Sequence, residues 1–288
     1  NITMNESSLT NARATQAWGA TLARTLSAIG VRYVVFSPGS RSTPLILACE
    51  ACKGLETLPL LDERSAGFYG IGLAKRSKKP VAIVCTSGTA AANLSPSVVE
   101  ANLSGVPLLL LTADRPPELR DCGAGQAIDQ LKLYGSHIRW FHEVGIPEFR
   151  VDRLAYLRQT LVHAVAKATN LGGGPVHLNF PFREPFFVED EWANPPMPAG
   201  FAWDHFLQQV SPPVATRTQL TEDFAGFGNF RRWLVVAGED CSARIAEVVS
   251  EKLGGPVLAD AFSPVRESAS SYRILRFEHL LRDDTFRG

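Results

Sequence analysis

The sequence predicts an α/β protein: a doubly wound parallel sheet, followed by a linker and an incomplete second α/β domain. Three observations predict it. Short apolar runs rich in Val and Leu alternate with longer stretches of helical periodicity over the first two-thirds of the chain. Turns rich in Gly, Pro and hydroxyl residues separate the two patterns. A stretch with little periodicity, carrying Pro195-Pro196, Pro198 and Pro212-Pro213, then leads into a second strand–helix–strand pattern. These divide the chain into a tail at 1–8, a first domain at 9–188, a linker at 189–222 and a partial second domain at 223–288.

Taken in order, Thr10 or Asn11 is expected to cap a helix in which Trp18, Leu22, Leu26 and Ile29 recur at helical spacing, with Gly30 ending it. The Val-rich run at 31–36 reads as a buried strand, and Pro44 starts a helix over 44–52. A strand at 55–61 and a helix at 63–75 follow, then a strand at 81–85 and a helix at 89–102. The very apolar run at 106–112 is a strand. After a long loop come a strand at 140–144, a helix at 151–169 broken by Gly172-Gly-Gly-Pro175, and a strand at 176–180. Strands separated by helices require right-handed crossovers, hence a parallel sheet covered on both faces. A short helix is expected around 203–210, then a strand at 233–238, a helix at 242–253 and a strand at 255–259. Two strands make no stable open sheet, so this domain, and with it the chain, is expected to be truncated.

Composition narrows the function. The chain has 288 residues, with 29 Lys and Arg against 29 Asp and Glu. No net field draws it to nucleic acid or to an anionic membrane, so a bound anion must be captured by local arginines. No apolar stretch has the length of a membrane span. Five cysteines are an odd number in a well-cored chain and fit reduced thiols in a cytoplasmic setting. Cys49 and Cys52 form a C-x-x-C that reads as two small apolar residues on one helix face, because no second pair at ligand spacing completes a metal site.

In an open parallel sheet, ligands bind beyond the carboxyl ends of the strands. The segments there are Ser37-Pro-Gly-Ser40-Arg41-Ser42, Asp62-Glu63-Arg64-Ser65, Thr86-Ser87-Gly88-Thr89 and Ala113-Asp114-Arg115-Pro116-Pro117-Glu118. Arg41 beside two hydroxyls suits a carboxylate, since the guanidinium fork grips both oxygens. Arg115 has a local pair with Asp114 as its alternative. Ser87-Gly88-Thr89 either receives a phosphate or simply caps a helix. Glu63 alone reads as an ordinary first-turn acid favoured by the helix dipole.

The segments SPGSRSTPL, LDERSAGFYGIGLAK, VCTSGTAAANL, LLLTADRPPELRDCGAGQAI and VHLNFPFREP go further. Together they resemble the N-terminal half of the 2-succinyl-5-enolpyruvyl-6-hydroxy-3-cyclohexene-1-carboxylate synthases, thiamine diphosphate enzymes of menaquinone biosynthesis. The resemblance runs in register from Trp18 to Pro185 and more faintly through VVAGEDCSARIAEVV.

It implies that the first domain is the pyrimidine-binding domain. It implies that Glu63 is the catalytic and cofactor-binding acid that hydrogen-bonds the pyrimidine ring nitrogen of thiamine diphosphate. Such a carboxyl must be held dry, its pKa raised by desolvation. The implied reaction decarboxylates 2-oxoglutarate and adds the resulting carbanion to isochorismate, with Ser40, Arg41, Arg115 and Gln126 binding substrate. Gly125 stands where the family pattern has an asparagine. The family's Mg²⁺ (or Mn²⁺) and diphosphate ligands belong to a C-terminal domain with no counterpart in this sequence, so the chain alone is expected to be inactive. A homodimer or homotetramer acting on small dicarboxylates is implied, with no nucleic acid partner and no membrane insertion. Two readings compete: another thiamine diphosphate carboligase or 2-oxoacid decarboxylase, and a non-catalytic binding or assembly domain of this fold.

Overall fold

A computed structural model describes residues 5–170, 172–187, 192–208, 210–211, 232–239 and 241–283. The chain divides into two compact units, one up to Thr216 and one from Arg217.

The first unit runs α1 (Glu6–Ala28), β1 (Tyr33–Phe36), α2 (Thr43–Glu50), β2 (Glu56–Pro59), α3 (Glu63–Ser77), β3 (Val81–Cys85), α4 (Thr89–Asn93), α5 (Ser95–Leu103), β4 (Leu108–Asp114), β5 (Trp140–Glu143), α6 (Val151–Thr169), β6 (Val176–Pro181) and α7 (Trp203–Gln208). Its sheet has the order β2-β1-β3-β4-β6-β5, and every neighbouring pair is parallel.

Period-two alternation along each strand divides the apolar residues between two cores. Val34, Phe36, Ala82, Val84, Leu109 and Leu111 face α1, α2 and α6, where Leu22, Leu26, Leu45 and Leu157 meet them. Val35, Val81, Ile83, Leu108 and Leu110 face α3 and α5, against Ala66, Ile71 and Val98. Burial on both faces is why the strands read as unbroken apolar runs. Each fully buried Leu stabilises the fold by roughly 1.5–3 kcal/mol before entropy is counted. Gly70 lets α3 lie close on β3, since a Cβ there would stand 2.3 Å from the end of Ile83.

Several boundaries differ from expectation, each for a local reason. The cap of α1 is Asn5, whose Oδ1 accepts from the Ser8 N–H at 2.8 Å. Asn11 does other work: its amide donates to the Arg183 and Pro185 carbonyls at 3.0 and 3.2 Å. The helix expected over 89–102 is two helices, because Pro96 sits in the first turn of α5 and lacks the N–H that would continue α4. β4 extends through Asp114, pairing as far as Pro181. In the stretch expected as a linker, the side chains of Trp192 and Phe206 are buried in the first unit's core. Of that stretch, residues 189–191, 209 and 212–222 lie outside the described residues. Cys49 is buried among apolar side chains, and desolvation pushes its thiol up, away from reactivity.

The second unit contains β7 (Val235–Ala237), α8 (Ala243–Leu253), β8 (Val257–Ala259), β9 (Arg273–Ile274) and α9 (Phe277–Arg282). Ser242 caps α8, and Gly254 ends it with φ of 65°. The sheet has three parallel strands in the order β7-β8-β9, one more than the sequence predicts. β9 escapes a pattern search because it is two residues long and begins with an arginine.

Candidate functional site

Along the chain, β1 pairs on one side with β2 and on the other with β3, so the direction of winding reverses there. The loops leaving β1 and β3 diverge at such a point and open a crevice beyond the carboxyl ends of the strands. Gly39 brings them together: a Cβ on it would stand 2.4 Å from Thr86 Cβ. Residues 40–42 then form a tight helical turn that turns the buried Arg41 towards the crevice.

Ser40, Arg41, Thr86, Arg115, Gln126, Glu184 and Phe186 line one cleft of about 60 Å³ at this edge. Four of the five site residues expected from sequence are therefore neighbours, contributed by the segments after β1 and β4. Arg41 is only 6% exposed. Its Nη1 donates to the Phe182 carbonyl, and its Nη2 donates to Glu184 Oε1 at 2.9 Å. The guanidinium also lies over the Phe186 ring, 5.1 Å from its centroid. Burial, and next the charge of Arg115, hold the Arg41 pKa below its usual value.

The Asp114–Arg115 ion pair considered as an alternative is not formed. Asp114 accepts from the Arg115 backbone N–H at 2.7 Å, from Asn179 at 2.8 Å and from Arg120 at 3.0 Å. Burial raises the Asp114 pKa, opposed by these donors. The Arg115 guanidinium is thereby released to the cleft, where it donates to Ser87 Oγ. Gln126 adopts φ of 57° and donates to the Ser87 carbonyl at 3.0 Å. Gly125 next to it faces open space, so its missing side chain leaves a gap in the loop surface.

Glu63 lies outside this cleft. Asp62 caps α3 by accepting from the N–H groups of Arg64 and Ser65 at 2.8 and 3.1 Å, which fixes Glu63 as the first helical residue. Glu63 Oε2 accepts from Asn93 Nδ2 at 3.1 Å, which links α3 to the end of α4. The carboxyl expected to be dry is half-buried in this single chain. Leu61, two residues before it, is 86% exposed, and Phe68 and Tyr69 are exposed farther along α3.

Two groups of residues that the sequence reading passed over complete the site. Glu184 follows β6, a fifth strand end to which the same rule of strand termini applies. Gln130, Asn179, Thr112 and His177 form a buried polar chain under the rim. Gln130 holds the Gly88 N–H, which occupies one donor at the turn considered for phosphate. Among the described residues, no three His, Cys, Asp or Glu side chains group as a metal centre, and no helix is long and apolar enough to cross a membrane.

With this geometry in place, comparison with known proteins is specific. The family described as thiamine pyrophosphate enzyme, N-terminal TPP binding domain, matches residues 17–133. A 2-succinyl-5-enolpyruvyl-6-hydroxy-3-cyclohexene-1-carboxylate synthase of Acaryochloris marina is 44% identical over 282 residues, covering 93% of this chain and 48% of the relative. Relatives of the same name from Thermosynechococcus vestitus and Chloroflexus aurantiacus are 44% and 42% identical, covering 94% and 99% of this chain. Over nearly its whole length the chain is similar to these synthases. It spans about half the length of the curated relatives it matches, 48% of each of these three synthases. Within the synthase alignment lie both the cleft at the β1–β3 crevice and Glu63, and the domain match at 17–133 includes Ser40, Arg41, Glu63, Arg115 and Gln126. Glu184 and Asn179 lie beyond that domain match.

Proposed function

We propose that this chain supplies the pyrimidine-binding domain and a carboxylate clamp to a thiamine diphosphate-dependent synthase that decarboxylates 2-oxoglutarate and adds the remaining carbon unit to isochorismate. The observation that carries the reading is the convergence of Arg41, Arg115, Ser40 and Gln126 on one cleft beyond the sheet. Two guanidinium groups facing one small space suit a ligand with two carboxylates.

The residues present fit the aminopyrimidine end of the cofactor. Glu63 is a half-buried carboxyl fixed at the first position of a helix and oriented by Asn93. When bound, thiamine diphosphate supplies the electron sink for decarboxylation and carbon–carbon bond formation. Glu63 would hold a proton between its carboxyl and the pyrimidine ring nitrogen. Asn93 would keep that carboxyl in one orientation. Arg41 and Arg115 would hold isochorismate by its carboxylates, and Gln126 would close the cleft from the long loop after β4.

Mg²⁺ (or Mn²⁺) and the diphosphate would be held by the remaining length of such a synthase. A homodimer or homotetramer follows from the same reading, because Glu63 works only when covered and the apolar side chains of Leu61, Phe68 and Tyr69 are left exposed on and just before α3. A cytoplasmic site of action accords with the free thiols of all five cysteines.

The test is exchange of the cofactor's C2 proton into D₂O, followed by NMR in the full-length synthase with Mg²⁺. Glu63→Gln keeps the partner for Asn93 and is expected to stop the exchange while the fold persists. Exchange at the unmodified rate would remove Glu63 from its role. Arg41→Ala with unchanged isochorismate affinity would favour a simpler 2-oxoacid decarboxylase.

A further inference from the structure

We propose that Glu184 is a displaceable internal ligand: its carboxylate occupies the Arg41 anion position in the empty protein and is exchanged for a substrate carboxylate on binding. This rests on the reading of the cleft as a carboxylate site.

The partners of Arg41 divide the guanidinium into fixed and exchangeable parts. Nη1 is held by a backbone carbonyl, that of Phe182, and one face packs on the Phe186 ring. Nη2 meets Glu184 Oε1 at 2.9 Å, and Nε is buried without a partner among the described residues. A carboxylate arriving from the cleft would therefore need the position that Glu184 holds. The two ends of that pair differ sharply, for the Arg41 side chain is 7% exposed and the Glu184 side chain 68%. Arg41 cannot leave, whereas Glu184 loses little by turning into water.

The backbone around Glu184 is fastened on both sides, since Asn11 donates to the carbonyls of Arg183 and Pro185. Arg183 is fastened as well, through Glu118 Oε1 at 2.5 Å and Oε2 at 3.1 Å. Exchange is thus a side-chain rotation and needs no loop movement. The space left beside the pair, about 60 Å³, holds a few waters but no metabolite, so a larger ligand requires Glu184 to move. Arg115 remains available throughout, because its partner Ser87 Oγ is neutral.

Two consequences have opposite signs. In the empty protein, Glu184 compensates a buried guanidinium, so removing its charge destabilises the free form. In binding, Glu184 competes with every carboxylate that reaches Arg41, so removing its charge tightens all of them by one common factor. For a pair this exposed the factor is about two- to fivefold.

The experiment titrates acetate, succinate and isochorismate into the full-length synthase, as wild type, Glu184→Gln and the double variant Arg41→Ala/Glu184→Gln. NMR reads affinity, and thermal melting of the free protein reads stability. Glu184→Gln is expected to melt lower when free and to bind all three acids tighter by the same factor, a gain that vanishes without Arg41. If Glu184 only positions Arg41, the variant binds the acids more weakly. That result, unchanged affinity, or a gain that survives loss of Arg41 would overturn the proposal. If the gain appears but isochorismate binds no better than acetate, the exchange stands and the isochorismate assignment falls.

Discussion

Gln130 Oε1 accepts the backbone N–H of Gly88 at 2.8 Å, while its Nε2 donates to the Ala113 carbonyl at 3.2 Å and to Asn179 Oδ1 at 2.9 Å. One buried amide thus ties the turn after β3 to the end of β4 and to β6. Ser87 and Arg115, which meet in the cleft, are each next to a backbone group it holds or one residue beyond. Gln130→Ala would leave several buried polar groups unpaired. The expected loss is about 3 kcal/mol of stability, read from urea unfolding, together with weaker binding of the isochorismate proposed for the cleft. A loss below about 1 kcal/mol would mean that water replaces the amide and that the loops do not depend on it.

The contact of Gly39 with Thr86 predicts a steric effect that can be reversed. Gly39→Ala places a methyl group 2.4 Å from Thr86 Cβ, an atom that cannot move without the end of β3. Destabilisation of roughly 1–3 kcal/mol is expected. Thr86→Gly in the same protein removes the obstructing atoms. The double variant should therefore recover part of the loss in a double-mutant cycle, whereas simple addition of the two effects would show that the loops do not touch.

Arg115 and Arg41 reach the cleft in different ways, and their replacement separates binding from folding. The Arg115 guanidinium is half-exposed and bonded to a hydroxyl, so Arg115→Ala costs the fold little. A charge-assisted hydrogen bond to a ligand is worth roughly 1.5–3 kcal/mol, so on the proposed reading of the cleft isochorismate should bind about 10- to 100-fold more weakly. Calorimetry checks this. A comparable loss of melting temperature would mean that Arg115 serves the fold more than the ligand.

Which parts of this were legible in the sequence follows from how local their causes are. The strands at 81–85 and the helix at 151–169 have the bounds the sequence predicts, because an unbroken apolar run and a long 3.6-residue period are decided within the segment. The rule that ligands gather at strand ends puts Arg41 and Arg115 on one margin from the sequence alone. Glu184 lies past the end of β6, outside the four strand-end segments that the sequence marks with clustered charged and hydroxyl residues. Gln130 was invisible for a different reason. A lone glutamine in a long loop carries no pattern, and its value comes from three partners distant in sequence. Asn11 shows the converse, since its residue type signals a cap but its amide is drawn off by the loop after β6. The shelter expected for Glu63 depends on surfaces that α3 does not itself provide.

His177 makes the stability of the first unit depend on pH. Thr112 gives its single hydroxyl proton to Asn179 Oδ1 at 2.8 Å, so across the 2.7 Å contact with His177 it must accept, which places the ring proton on Nε2. The other nitrogen, Nδ1, is buried without a partner, and the rings of Tyr134 and Phe141 pack around the imidazole. Protonating Nδ1 would bury a charge with nothing to receive it, and burial accordingly lowers the pKa from 6.5 to about 3. Because the folded pKa lies below the unfolded one, the unfolded chain binds the extra proton as pH falls through 6.5. Stability is then lost by about 1.4 kcal/mol per pH unit until the folded ring also protonates near pH 3. His177→Phe keeps a ring against Tyr134 and Phe141 and removes the titration. Between pH 7 and pH 5 the wild-type protein should lose about 2 kcal/mol more than this variant, read from urea unfolding at each pH. Parallel losses in the two proteins would show that His177 is charged, or solvated, in the folded state.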